Sequence, residues 1–109
     1  GVQVIFVPAA FNMTTGPAHW EILFRTRAME NQLFAVGTAP ARDMSFSYHS
    51  WGHSLVADPW GTVLAELQEK EGVLVTDIDL SAVDKYRAEI PMVRNRRTDM
   101  YSLEDLTTR

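Results

Sequence analysis

The order of apolar runs in the first third of the chain constrains its fold most. β-branched runs at 2–7 and 33–38 each predict a buried strand. Between them, Gly16 and Pro17 open a stretch that we expect to be helical as far as Asn31, because a proline at the first helical position loses no hydrogen bond. A strand, a helix and a strand in this order favour parallel pairing of the two strands. The sequence therefore predicts an α/β fold.

The rest of the chain predicts three more strands and a closing helix. Two strand-like runs at 52–58 and 62–66 flank a Pro/Gly turn, which predicts a β-hairpin. A further run at 73–78 predicts the last strand of a meander. Asp79 is a good N-cap for a helix that reaches about Glu89. A parallel pair followed by a meander predicts a mixed sheet.

The first predicted helix has two apolar sides. At about 100° per residue, one apolar set falls on one side and a second set falls roughly opposite. The first set is Trp20, Leu23 and Phe24, and the second is Ala18, Ile22 and Met29. A helix that only covers a sheet needs one apolar stripe. The second stripe predicts burial against another layer or against a partner subunit, and the pattern leaves both open.

The composition excludes several classes of function. The 109 residues contain no cysteine, so this chain carries no disulfide, thiolate metal site or thiol nucleophile. A net charge of −4 argues against binding to nucleic acid. No apolar run approaches the roughly 20 residues of a membrane span. We expect a soluble, cytoplasmic protein that binds neither nucleic acid nor a membrane.

The polar groupings in the chain lack the geometry that catalysis or metal binding needs. His49 and His53 are four residues apart, but they span a loop-to-strand junction rather than one face of a helix. Ser54, His53 and Asp58 lack a nucleophile elbow. No glycine-rich phosphate loop follows the first strand. We therefore expect no catalytic residue, no metal and no cofactor in this chain.

The loop after the first strand is the best candidate for a binding site. It leaves the C-terminal end of a strand and enters a helix, which is where α/β sheets place ligands. Phe11 offers an apolar wall, and Asn12, Thr14 and Thr15 offer neutral hydrogen-bonding groups. The helix N-terminus would favour an anion such as a small carboxylate. Turn and capping roles explain asparagine and threonine equally well, so both interpretations stay open.

The first residues predict that this chain is part of a longer one. Gly1 is not a methionine, and an apolar run begins directly after it. Domains usually begin with exposed, loosely held residues. We therefore expect residues 1–109 to form a single partial domain whose N-terminal part lies upstream.

Several sequence blocks, taken together and in order, resemble the C-terminal half of the nitrilase superfamily of carbon–nitrogen hydrolases, and most closely its omega-amidase branch. They cover nearly the whole chain. The blocks are PAAFNMTTGPAHWE (8–21), RTRAMENQ (25–32), WGHS (51–54), DPWG (58–61), DIDL (77–80), IP (90–91) and RRTDMY (96–101).

The resemblance implies an α-β-β-α sandwich that pairs with a second subunit through the helix from Pro17 to Asn31, as a homodimer. It also implies acyl transfer to water, in which a cysteine thiolate attacks, a glutamate acts as general base and a lysine stabilises the oxyanion. All three residues would precede Gly1. The resemblance therefore implies a hydrolase that is inactive as this chain alone.

The resemblance also implies a substrate and its contacts. Phe11 and Thr15 match positions that line the omega-amidase pocket, and Asn12, Met13 and Thr14 lie on the same loop. The implied substrate is a dicarboxylic acid monoamide, such as 2-oxoglutaramate or 2-oxosuccinamate, which is hydrolysed to the acid and ammonia. Two alternatives stay open: a superfamily amidase for deaminated glutathione or N-carbamoyl compounds, and a non-catalytic binding or scaffold module.

Overall fold

The computed structural model, which describes residues 1–107, has four strands formed by apolar runs of the sequence and two helices. Thr108 and Arg109, the last two residues of the predicted partial domain, lie outside the described residues. The elements are β1 (Val4–Pro8), α1 (Thr15–Asn31), β2 (Phe34–Thr38), β3 (Leu55–Ala57), β4 (Val63–Glu66) and α2 (Ser81–Glu89).

The four strands form one mixed sheet in the order β1-β2-β3-β4. β1 and β2 are parallel, with Val4 opposite Phe34 and Pro8 opposite Thr38. β2 and β3 are antiparallel, as are β3 and β4. Helix α1 supplies the crossover that parallel neighbours require. The predicted α/β class and mixed sheet are confirmed.

Helix α1 packs its aromatic side against β2 and β3. Trp20, Phe24 and Ala28 recur every four residues, so they share one face of the helix, and all three are buried. The Phe24 ring packs directly on the backbone of Gly37 in β2, where a Cβ atom would lie only 2.6 Å from the ring. The core cluster comprises Trp20, Phe24, Ala28, Leu33, Ala35, Leu55 and Ala57.

Helix α1 begins at Thr15, two residues before the predicted start at Pro17. It ends at Asn31 as predicted, because Gln32 adopts a left-handed conformation with φ of 52°. On the exposed side of α1, Glu21 and Arg25 form an ion pair with 3.3 Å between their charged groups.

The prediction of a strand at 73–78 is wrong. Within the described residues this segment pairs with no strand, although alternate side chains along it are partly covered. Val73 and Val75 are 88% and 86% exposed. The predicted meander is therefore a single hairpin of β3 and β4. A β-branched sequence favours an extended backbone, but a strand also needs a neighbour to bond with.

The buried side chain of Gln32 is one of the contacts that hold helix α2 to the rest of the fold. The Gln32 amide is buried, and its Nε2 donates to the carbonyl oxygens of Tyr86 at 3.0 Å and Ile90 at 2.5 Å. At the other end of α2, the Asp79 carboxylate accepts from Ser81 N and Oγ, which is the predicted capping role. No helix of the described residues is long and apolar enough to cross a membrane.

Replacing Gln32 tests this link between the two helices. Gln32→Met keeps the volume but removes the donor from two carbonyl oxygens, so we expect the free energy of unfolding to fall by about 1–3 kcal/mol. The measurement is a denaturant titration of the complete natural gene product that carries this sequence, called the gene product below. Asn31→Ala is the matched control, because the Asn31 amide donates to Arg27 O at an exposed position. Equal effects of the two substitutions would contradict the role given to Gln32.

Candidate functional site

The candidate site is the segment Phe11–Thr15, called the site loop below. It lies beyond the C-terminal end of β1, where Ala9 N still donates to Thr38 O of β2 at 3.0 Å. α1 begins at the last residue of the site loop. The site loop therefore stands where a parallel pair of strands and a helix N-terminus meet, as predicted from the sequence.

Asn12 organises the site loop with its own side chain. Its Oδ1 accepts from the backbone N–H groups of Thr14 and Thr15, both at 2.9 Å, and from the Thr15 hydroxyl at 3.1 Å. Its carbonyl oxygen accepts from Gly16 N at 2.8 Å. This capping extends the helix back to Thr15, which the proline-based prediction missed.

The capping also changes the expectation that the helix N-terminus binds an anion. Anion binding at such a position relies on backbone N–H groups that point away from the helix. Here Asn12 takes the N–H groups of Thr14, Thr15 and Gly16, and Pro17 has none. The exposed residues of the site loop are Asn12, Met13 and Thr14.

The residues predicted from the sequence line two different cavities. Phe11 lines an apolar cavity of about 310 Å³ between β1 and α1, together with Ile5 and Leu23 among others. Asn12, Met13 and Thr14 line a polar cleft of about 300 Å³, opposite Ser47, Tyr48 and His49. Thr15 lines neither cavity and is half-buried at the helix start. The site loop is thus a ridge between an apolar wall and a polar one.

Trp51 supports the site loop from behind, and sequence reasoning missed this. Its backbone N donates to Phe11 O at 2.7 Å, and Ser50 and Asn12 form an isolated antiparallel bridge. A Cβ added at Gly16 would lie 2.2 Å from Trp51 Cγ, so the indole lies directly on the backbone at Gly16. The sequence offered two signals: the WGHS block at 51–54, and a glycine just before Pro17, where the helix start does not itself require one.

Tyr48 also holds the chain next to the site loop, from the same side as Trp51. Its hydroxyl donates to Ala10 O at 3.0 Å, so the loop that contains Tyr48 reaches across to the segment that precedes the site loop. Tyr48 is half exposed and also lines the polar cleft. Its ring is therefore part of the wall that faces Met13 and Thr14.

Among the described residues, the side chains whose pKa is shifted lie in exposed turns and not in the site loop. The pKa values of four aspartates are lowered, because hydroxyl and backbone N–H groups, or a guanidinium in the case of Asp99, donate to their carboxylates. The pKa of Arg97 is raised by the same pairing with Asp99. The donors are Ser45 for Asp43, Ser81 for Asp79, Arg97 for Asp99 and Thr107 for Asp105.

Ser54, His53 and Asp58 do not form a catalytic triad, because each has a different hydrogen-bond partner. Ser54 Oγ accepts from Ala39 N at 2.9 Å, and His53 Nδ1 lies 2.7 Å from Trp51 O. Asp58 Oδ1 accepts from the backbone N–H groups of the following turn. Across residues 1–107, no three histidine, aspartate or glutamate side chains stand together as metal ligands would.

The family follows from comparison with known proteins. The sequence model of the carbon–nitrogen hydrolase family matches residues 1–88, and the chain belongs to this family. It is similar to omega-amidase NIT2 of Xenopus tropicalis, with 50% identity over 105 residues that make up 96% of this chain. The chain spans 38% of the length of that relative.

Solved structures agree with this assignment. The fold is similar to that of the NitFhit protein of C. elegans, with a TM-score of 0.88 and 43% identity over 94% of this chain and 25% of that one. It is also similar to an amidase from Nesterenkonia sp. AN1 that carries an acetamide moiety on its active-site cysteine. There the TM-score is 0.67 and the identity 25%, over 92% of this chain and 34% of the amidase.

Gly16→Ala tests the contact between the indole of Trp51 and the start of α1. The added methyl group would overlap Cβ and Cγ of Trp51, so we expect the free energy of unfolding of the gene product to fall by about 1–3 kcal/mol. Gly72→Ala is the matched control, because a Cβ there meets Leu67 Cδ2 at an ordinary 3.5 Å. Denaturant titration of both variants is the measurement. A Gly16→Ala protein as stable as the control would show that the contact is absent in solution.

Proposed function

We propose that this chain is part of an omega-amidase-like hydrolase that acts on small dicarboxylic acid monoamides, such as 2-oxoglutaramate and 2-oxosuccinamate. The observation that carries the proposal is the 50% identity to an omega-amidase over 96% of the chain. The site loop supports it, because it combines an apolar wall at Phe11 with uncharged amide and hydroxyl groups at Asn12 and Thr14. Such a surface suits a short carbon chain that ends in polar groups.

In the proposed reaction, a cysteine thiolate attacks the amide carbon of the substrate. The carbon–nitrogen bond breaks, ammonia leaves with a proton supplied by a general acid, and a thioester remains. Water then gives a proton to the same group, which now acts as a general base, and attacks the thioester, so that the carboxylic acid and the thiolate are released. Since this chain has no cysteine, its part is to bind the substrate. The cysteine adduct in the similar Nesterenkonia amidase supports a thiol mechanism.

We assign the substrate-binding part to Phe11, Asn12, Met13, Thr14 and Thr15. Phe11 would contact the carbon chain of the substrate. The Thr14 hydroxyl and the Asn12 amide N–H would donate to its carboxylate, while Met13 would close the polar cleft opposite Tyr48. Thr15 would help to position the Asn12 side chain, because its hydroxyl donates to Asn12 Oδ1.

The proposal also treats residues 1–109 as part of a larger domain. Among the described residues, β1 pairs with β2 alone, so its other edge has no strand beside it. Phe6 on β1 is 73% exposed, and the apolar cavity beside Phe11 opens next to the same strand. Exposed strand edges with large apolar side chains are normally covered in folded proteins. Further strands of the same domain would cover this one.

The second apolar side of α1 supports a homodimer formed through the helix from Pro17 to Asn31. Ile22 is 62% exposed, and it lines a shallow cavity of about 260 Å³ with Met29 and Trp60. A second copy of the helix would cover these side chains. We also propose a cytoplasmic location, because the thiol that the reaction needs stays reduced there.

An assay of the gene product tests the proposed reaction. We expect ammonia release from 2-oxoglutaramate with a kcat/KM at least about tenfold higher than for deaminated glutathione or an N-carbamoyl compound. Iodoacetamide should abolish it by alkylating the cysteine. The 109-residue chain alone should release no ammonia. A preference for another substrate would move the protein to a different branch, and hydrolysis by the chain alone would overturn the mechanism.

The dimer has its own test at Ile22. Ile22→Glu places a charge on the apolar side of α1, which is expensive to bury without a partner. We therefore expect the gene product to shift from dimer to monomer in sedimentation velocity at micromolar concentration. Ile22→Met is the matched control and should remain dimeric. A dimer that tolerates Ile22→Glu would show that α1 does not form the interface.

A further inference from the structure

We propose that Arg42 is a positioning residue for the site loop and acts on it through Trp51. The proposal rests on the proposed function, in which the site loop binds the substrate. Arg42 itself lines neither the apolar cavity nor the polar cleft beside the site loop. Its effect on substrate would pass through backbone and ring contacts alone.

Arg42 is bound to the chain segment that supports the site loop. Its Nε donates to Ser50 O and its Nη2 donates to Trp51 O, both at 3.0 Å. The guanidinium carbon lies 5.3 Å from the centroid of the Trp51 ring, within the range of a cation–π contact. The backbone N of Arg42 donates to Glu69 O at 2.8 Å, which fixes the base of the side chain. The planar guanidinium of arginine can donate to the carbonyl oxygens of two consecutive residues at once, whereas lysine offers a single ammonium group.

Ser50 and Trp51 in turn hold both ends of the site loop. Trp51 N donates to Phe11 O at 2.7 Å, and Ser50 pairs with Asn12. The Trp51 indole lies on Gly16, directly after the site loop. Between these two ends, the hydrogen bonds of Asn12 Oδ1 are internal to the site loop. The site loop is therefore one rigid unit, and its placement depends on Trp51.

The backbone around Trp51 is strained, so it needs such fixation. Gly52 and His53 both have positive φ values, 78° and 61°, and this conformation is unfavourable for the non-glycine residue. The His53 ring stacks on Trp51 at 4.2 Å, and its Nδ1 shares the Trp51 carbonyl with Arg42. Strain of this kind persists where surrounding contacts determine the conformation. Arg42 supplies two of those contacts.

Removing Arg42 should weaken substrate binding more than turnover. The site loop would hold the part of the substrate away from the reacting amide, and such contacts act equally on the ground state and the transition state. Their loss raises KM and leaves kcat largely unchanged. A residue that only stabilised the fold would lower the amount of active protein without raising KM.

The kinetic test compares Arg42→Met and Arg42→Lys with Arg87→Met in the gene product. Arg87 is the matched control, because its Nη2 donates to a single remote carbonyl, Val2 O, at 2.8 Å. We expect both Arg42 variants to raise the KM for 2-oxoglutaramate about tenfold with kcat within about twofold, and Arg87→Met to change neither. Unchanged KM in Arg42→Met, or full rescue by Arg42→Lys, would overturn the proposal.

Hydrogen exchange of the same proteins separates this proposal from the proposed function. We expect the amides of Thr14 and Thr15 to exchange at least about tenfold faster in Arg42→Met, while β3 and the Arg87→Met control keep their rates. Equal acceleration in β3 and the site loop would mean general destabilisation and would overturn the positioning role. If the unsubstituted gene product releases no ammonia from 2-oxoglutaramate, the proposed function fails, and the exchange rates still decide whether Arg42 positions the site loop.

Discussion

The structure depends on one buried tryptophan at the start of α1. Trp20 is 1% exposed, and its indole N–H donates to the carbonyl oxygen of His53 at 2.6 Å. Its ring also meets Phe11 at 5.1 Å and Phe24 at 4.6 Å between centroids. Aromatic pairs of this geometry each contribute about 0.5–1.5 kcal/mol beyond the area they bury. Trp20 thus joins the helix, the sheet and the turn behind the site loop through one side chain.

This arrangement fixes the site loop from two sides although most of the loop is exposed. Phe11 contacts Trp20 from one side, and Trp51 holds the Phe11 carbonyl from the other. The strained turn at Gly52 and His53 directs the His53 carbonyl to Trp20 and the indole of Trp51 to Gly16. With the substrate-binding role proposed for it, the site loop would be organised before the substrate arrives, so binding would lose little conformational entropy.

The sequence predicted those features that depend on local pattern. Apolar runs and a helix entry near Pro17 were enough for β1, α1, β2, their parallel pairing and the mixed sheet. The same pattern was misleading at 73–78, because extended propensity does not specify a pairing partner. The helix start was placed two residues late, because Asn12 caps it by a side-chain contact that periodicity does not reveal. Arg42 and Trp51 were missed because they reach the site loop across a large separation along the chain.

A crystal structure of the gene product with a bound dicarboxylic acid monoamide would test whether the site loop forms part of the substrate pocket of a cysteine hydrolase. We expect the carbon chain of the ligand to contact Phe11. We also expect the ligand carboxylate to accept from the Thr14 hydroxyl or the Asn12 amide, with the ligand amide carbon beside a cysteine outside this chain. A ligand bound with no atom in contact with residues 11–15 would contradict it.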